Sequence, residues 1–64
     1  MIIQWTNKFS GEKGYVKNLN RKEEYFENTF DKSKALKVSK SSVRRTINTL
    51  NEYCSNNTYE AIEG

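Results

Sequence analysis

The sequence contains no histidine, no proline and only one cysteine among its 64 residues. Without histidine there is no conventional zinc cluster and no Ser–His or Cys–His nucleophile pair. The side chain that most often acts as a general base near neutral pH is also missing. One cysteine cannot form an intramolecular disulfide. These absences argue against an enzyme, a metal site and a bound cofactor, and they favour a small non-enzymatic binding protein.

Apolar residues are scarce as well. They make up 34% of the chain, against 30% for charged residues. A chain of this length buries only about 60% of its unfolded surface, so we expect one small domain over residues 1–64 with a thin core. No apolar stretch reaches the ~18 residues of a membrane-spanning helix, and the first residues do not resemble a signal peptide. Together with the unpaired cysteine, this predicts a cytoplasmic location.

The first half of the chain predicts three β-strands. Residues 2–6, 15–19 and 25–30 are rich in β-branched and aromatic side chains that alternate with polar ones. Gly11 and Gly14 mark a hairpin loop between the first two strands, because glycine adopts positive φ without steric cost. Three strands with short connections predict an antiparallel meander.

The second half predicts one amphipathic helix. Its apolar residues lie four, three and four positions apart: Val43, Ile47, Leu50 and Cys54. This spacing places them on one side of a helix. Ser39 or Ser41 is expected to cap its start, and the asparagines at 56 and 57 its end. Cys54 is expected to pack in the core, the alternative being an exposed thiol that dimerises on oxidation.

One apolar helix stripe and one apolar sheet face predict a small two-layer α+β domain. The β-prone residues 58–63 predict a short fourth strand at the C-terminus. The predicted core consists of Ile3, Trp5, Val16, Phe26, Phe30, Leu36, Val43, Ile47 and Leu50.

Charge is unevenly distributed along the chain. Eleven basic and 8 acidic residues give a net charge of +3 and an isoelectric point near 9.1. All charged residues from 32 to 45 are basic, and all those after 45 are acidic. We call the first group the basic segment: Lys32, Lys34, Lys37, Lys40, Arg44 and Arg45. Clustered lysines and arginines neutralise phosphates, so the segment predicts a negatively charged partner. An ordinary solvated helix face is the alternative.

The sheet face turned away from the helix is a second candidate surface. Tyr15, Lys17 and Tyr25 are expected there, together with Glu27. Exposed tyrosines bring a large contact area to an interface at low entropy cost, although they also cover sheet edges and the rim of a core. The predicted partner-binding residues are therefore Lys37, Lys40, Arg44, Arg45, Tyr15, Lys17 and Tyr25.

The order of elements resembles a known DNA-binding domain. Three strands precede a helix, Trp5 lies in the first strand, and Gly14 and Tyr15 open the second. Over about residues 2–52 this order is similar to the amino-terminal arm-binding domains of phage-type integrases. The resemblance implies a three-stranded sheet that lies in the major groove of DNA. Lys17 is the only basic residue on the three predicted strands, which favours the helix side for contact with nucleic acid instead.

A second resemblance concerns composition and local sequence. The asparagine- and lysine-rich chain, with residues 3–16 and 25–31, is similar to short orphan proteins of phages and prophages of Gram-positive bacteria. That group includes anti-CRISPR proteins. The resemblance implies a stoichiometric inhibitor that acts in the bacterial host cytoplasm by occluding a defence nuclease, as a mimic or competitor of nucleic acid. Its partner would be a CRISPR effector complex, with or without contact to the guide RNA. A small DNA- or RNA-binding regulatory module that uses the basic helix face is the alternative.

Overall fold

A computed structural model describes residues 1–64. The helix and strands follow in the order β1 (Ile2–Asn7), β2 (Lys13–Asn20), β3 (Tyr25–Thr29), α1 (Val43–Tyr53) and β4 (Asn57–Ile62). Two short 3-10 turns precede α1: Lys32–Lys34 and Lys40–Ser42. The strands form one antiparallel sheet in the order β3-β2-β1-β4, and α1 packs on one face of it. The predicted two-layer α+β domain with a fourth strand is confirmed.

Strand β1 is central because β4 pairs with its free side. The pairing runs without interruption from Ile2 opposite Ile62 to Asn7 opposite Asn57. Side chains alternate between the two faces along β1, so Trp5 and the residues two positions before and after it point towards α1. The last strand therefore completes the sheet that the first three strands begin.

The two glycines of the β1–β2 hairpin have different roles. Gly11 has a φ of +76°, the left-handed conformation that the loop was predicted to need. Gly14 instead lies in β2, opposite Trp5. A Cβ atom on Gly14 would lie 2.5 Å from the Cζ2 atom of the indole. Gly14 is therefore required for close packing of Trp5 against the backbone.

The segment between the two 3-10 turns bridges β1 and β2. The pairing of these strands covers residues 4–6 of β1. Beyond it, the Leu36 N–H donates to the Val16 carbonyl at 2.9 Å, and Val38 exchanges two backbone hydrogen bonds with Met1. This bridge carries the chain from β3 to α1 and buries Val38.

The core lies between α1 and the sheet. Its buried cluster consists of Ile3, Trp5, Val16, Val38 and Leu50. Half-buried apolar residues pack around it: Leu19, Phe26, Leu36, Val43, Ile47, Tyr59 and Ala61. Val38 was missing from the predicted core, as were Ile2 and Ala35, which are buried outside this cluster.

The prediction that Phe30 belongs to the core is wrong. Phe30 is 65% exposed. Strand β3 ends at Thr29, so Phe30 follows the last paired residue and only approaches Trp5, at 6.0 Å between ring centroids.

The predicted helix caps are also wrong. The Ser39 hydroxyl bonds to those of Ser41 and Ser42, and no serine side chain caps a free backbone N–H of α1. At the other end the helix stops at Tyr53, and Cys54 is extended. No asparagine caps this end, because the chain enters β4 directly after a short turn.

Candidate anion-binding surface

The basic segment runs over the surface from the end of β3 into the first turn of α1. Its six residues are all exposed: Lys32 and Lys34 in the first 3-10 turn, Lys37 in the bridge, Lys40 in the second 3-10 turn, and Arg44 and Arg45 in α1. The fold therefore places every cation of this segment where a partner can reach it.

The orientation of α1 explains why its arginines point to solvent. Val43, Ile47 and Leu50 pack against the sheet. At about 100° per residue, Arg44 and Arg45 lie outside this apolar stripe. Thr46, which the sequence did not mark as a core residue, is buried on the packed side.

Arg44 and Arg45 occupy an unfavourable end of the helix for cations. The first turn of α1 contains no acidic residue, and its N-cap residue, Ser42, makes no capping hydrogen bond through its side chain. The helix dipole places partial positive charge at this end, where a cation is unfavourable by about 0.3–1 kcal/mol. Helix stability therefore does not explain these two arginines.

The cations of the chain are little engaged with the rest of the protein. Side-chain hydrogen bonds use asparagine, serine, threonine, tyrosine, aspartate and cysteine atoms, and no lysine or arginine side chain donates one. Asp31 accepts hydrogen bonds from the Ser33 hydroxyl at 2.7 Å and from its N–H at 3.0 Å. These bonds, and to a smaller extent the charge of Lys34, lower the pKa of Asp31. Asp31 thus caps its own turn and leaves the basic segment available to a partner.

The sheet residues predicted to bind a partner lie on another surface. Tyr15 pairs with Gln4 and Thr29, on the face turned away from α1, and is half-buried. Tyr25 is on the same face of β3, 45% exposed, and Lys17 is exposed at the register shift in β2. The seven predicted residues therefore belong to two separate surfaces, the basic segment and the outer sheet face.

Sequence reasoning missed a third surface feature, the exposure of two phenylalanines. Phe9 is 83% exposed in the β1–β2 loop, and Phe30 follows β3 at the same end of the sheet. The buried Trp5 indole N–H has no hydrogen-bond acceptor. The sequence did contain a signal for the exposure of Phe9, because this residue lies among polar residues in a loop that contains glycine.

A polar cluster joins the end of α1 to β4. The Tyr59 hydroxyl donates to the Cys54 carbonyl at 2.7 Å, and the buried Asn57 amide lies 3.4 Å from that hydroxyl and 3.6 Å from the Cys54 Sγ. Burial raises the pKa of Tyr59 to about 12, against a smaller opposing effect of the hydrogen bond with Asn57. The cluster fixes the connection between helix and strand, with Cys54 half-buried within it.

The structure has no detectable pocket and no group of three or more histidine, cysteine, aspartate or glutamate side chains that could hold a metal ion. No helix has the length and hydropathy needed to span a bilayer. No family model matches the chain, and neither a curated protein nor a solved structure shows significant similarity to it.

Proposed function

We propose that this protein is a non-enzymatic binding protein that holds a nucleic acid through the basic segment. The observation that carries the proposal is the run of exposed cations from Lys32 to Arg45, which contains no carboxylate side chain. Phosphates release condensed counterions when lysines and arginines neutralise them, which makes such a surface a favourable contact. Arg44 and Arg45 support the proposal further, because their position at the start of α1 disfavours the helix.

The basic segment also indicates the mode of contact. Its residues lie on the two 3-10 turns, on the bridge between them and on the first turn of α1, and α1 has only 11 residues. Side chains on such turns suit phosphate contacts, which position a protein without reading base sequence. We therefore propose a binding mode that depends weakly on sequence and strongly on salt.

Charge reversal at Arg44 and Arg45 tests this function. The Arg44→Glu/Arg45→Glu variant should bind a labelled oligonucleotide much more weakly than the wild type at low salt. A plot of log K against log salt should flatten by about one unit for each lost phosphate contact. Fluorescence anisotropy over a salt series measures both quantities.

A matched control separates local contact from overall charge. Arg21 and Lys22 are exposed in the β2–β3 turn, outside the basic segment. Their double reversal to Glu changes the net charge by the same amount, from +3 to −1. It should reduce affinity less than reversal of Arg44 and Arg45. Equal effects would show that only total charge matters and would contradict the assignment to the basic segment.

The second candidate function is a phage-borne, anti-CRISPR-like inhibitor of a host defence nuclease in the bacterial cytoplasm. The observation that favours it is the outer sheet face, where Tyr15 and Tyr25 lie apart from the basic segment. Tyrosines of this kind are frequent centres of protein–protein binding energy. Because the chain is positively charged, it would act as a competitor for an acidic patch or a guide RNA, and it lacks the charge of a nucleic-acid mimic.

Inhibition of a nuclease complex tests this candidate. Target cleavage by a purified CRISPR effector should stop at about one inhibitor per complex. The Tyr15→Ala/Tyr25→Ala variant should no longer inhibit cleavage but should still bind oligonucleotides. If free nucleic acid competes away all inhibition by the wild type, the protein acts by sequestering nucleic acid, and the first candidate alone is supported.

A further inference from the structure

The end of the sheet where β1 ends, β2 begins and β3 ends carries two exposed phenyl rings and a buried indole N–H without a partner in the protein. Phe9 and Phe30 leave most of their rings in water, at 83% and 65% exposure. Burial of such rings would stabilise the fold, so their exposure forgoes a large hydrophobic contribution. Nearby, the buried Trp5 indole N–H has no hydrogen-bond acceptor within the protein. Core packing therefore does not explain Phe9, and it involves Phe30 only through the contact with Trp5.

Hydrogen bonds within the β1–β2 loop hold the backbone of Phe9 in a defined position. The Asn7 Oδ1 atom accepts hydrogen bonds from the backbone N–H groups of Phe9 and Ser10, both at 2.9 Å. The Asn7 N–H donates to the Glu12 carbonyl at 2.8 Å and closes the loop. The Lys8 N–H donates at 2.9 Å to the turn that precedes β4. A preorganised loop loses little backbone entropy when the ring that it carries binds a partner.

Basic residues lie close to Phe9 and Phe30 in the sequence, and the strand order brings them to the same end of the sheet. The lysines at this end of the sheet are exposed: Lys8, Lys13, Lys32 and Lys34. Two carboxylates lie among them, Glu12 and Asp31, and Asp31 is engaged with Ser33 as the cap of its own turn. Cations therefore outnumber anions here by two, and the surface is complementary to a polyanion.

We infer that this end of the sheet binds single-stranded nucleic acid, with bases stacked on Phe9 and Phe30 and phosphates near the four lysines. The inference rests on the proposed nucleic-acid function and adds the kind of strand that is held. Every base has an aromatic face, so stacking tolerates any sequence, whereas a duplex keeps those faces covered. Lys32 and Lys34 belong to both the basic segment and this surface, so one strand can continue from one to the other.

Oligonucleotide binding tests the inference. The probes are a labelled thymidine oligonucleotide of about 16 nucleotides, an abasic phosphodiester chain of the same length, and a duplex. At equal salt, the thymidine oligonucleotide should bind more tightly than the abasic chain. Phe9→Ala and Phe30→Ala should each weaken its binding by about 5- to 150-fold and leave the abasic chain unaffected. Because Trp5 is the only tryptophan and lies 6.0 Å from Phe30, its fluorescence should change when bases stack there.

Phe9→Leu is the matched control, since leucine keeps an apolar side chain but cannot stack on a base as a phenyl ring does. It should lose about as much affinity as Phe9→Ala. If Phe9→Leu retains the affinity that Phe9→Ala loses, the residue contributes apolar contact only, and the stacking inference is overturned. Because Phe9 lies outside the core, the comparison of Phe9→Ala with Phe9→Leu tests base stacking even if the Phe30→Ala variant does not fold.

The remaining outcomes distinguish the inference from the proposed function. If wild type and both alanine variants bind all probes alike while Arg44→Glu/Arg45→Glu does not bind, the inference fails and the function stands. A duplex that binds more tightly than the single strand would also overturn the inference alone. If no probe binds the wild type at low salt, both are overturned.

Discussion

The two ends of α1 differ in how far packing and hydrogen bonding account for their residues. Towards the C-terminal end, Leu50 is fully buried, and the Cys54 N–H and carbonyl are both hydrogen-bonded. At the N-terminal end no side chain caps the helix, and Arg44 and Arg45 are exposed. The first end is explained by packing and hydrogen bonding. The second contains charges that neither packing nor capping explains, which is why we propose that this end binds a partner.

The largest effect is expected from Leu50→Ala at the packed end. Leu50 has no exposed surface and lies in the central cluster. Removal of such a side chain leaves a cavity and should lower the free energy of unfolding by about 2–5 kcal/mol. This approaches the whole stability of a small domain, about 5 kcal/mol. Urea titration followed by circular dichroism measures it.

Ile47→Ala is the matched control on the same apolar stripe. Ile47 is only half-buried, so its truncation should destabilise the protein less than Leu50→Ala. Equal losses would mean that the helix is rotated about its axis relative to the arrangement described above.

Gly14→Ala tests how closely the sheet packs beneath the helix. The new methyl group would overlap the Trp5 ring, so we expect the free energy of unfolding to fall by about 1–3 kcal/mol, with a changed Trp5 fluorescence spectrum. Gly11→Ala is the control, because its Cβ meets open space and only its positive φ is strained. Gly11→Ala should leave the spectrum unchanged. An unchanged spectrum in Gly14→Ala would show that the indole does not lie against β2 as described.

The period of apolar residues predicted the elements well, but not the contacts between segments. The alternation around Trp5 and the stripe through Leu50 follow from the geometry of strands and helices, so both were predictable. The pairing of β4 with β1 depends on a choice between two free sheet edges, which local sequence does not encode. Val38 was missed because the segment that carries it is placed next to the sheet by hydrogen bonds with Met1, 37 residues away, which local sequence does not reveal.

The candidate surfaces were predicted to different extents for similar reasons. The run of basic residues is visible in the sequence, and their exposure follows from the position of the apolar stripe. The exposure of Phe30 depends on where the pairing of β3 ends, which composition does not reveal. Phe9 has the same aromatic side chain as a core residue, and only its loop position distinguishes it.

Tyr59→Phe tests the hydrogen bonding at the packed end. The variant loses the hydrogen bond to the Cys54 carbonyl and should be less stable than the wild type by about 1 kcal/mol near neutral pH.

The pKa of Tyr59 is raised in the folded protein, from 10.0 to about 12. Its contribution to stability is therefore fully present below about pH 10 and is lost as the pH rises through 12. The wild type should lose more stability than Tyr59→Phe between about pH 8 and about pH 11. A constant difference across this range would contradict the burial of the Tyr59 hydroxyl.

The smallest effect is expected at the N-terminal end, and its sign is opposite to the others. Arg44→Gln/Arg45→Gln removes two cations from the positive end of the helix dipole and keeps side chains of similar helix propensity. Each change should raise the free energy of unfolding by about 0.3–1 kcal/mol at low salt, and the gain should shrink as salt screens the charges. Arg21 and Lys22, in the β2–β3 turn, lie at no helix terminus, so the corresponding Arg21→Gln/Lys22→Gln variant should show no such gain.

If the Arg44 and Arg45 substitutions instead destabilise the protein, these arginines support the fold, and their position no longer argues for a binding role. A gain in stability together with loss of nucleic-acid binding would show that this end of α1 is shaped by its partner at the expense of the helix.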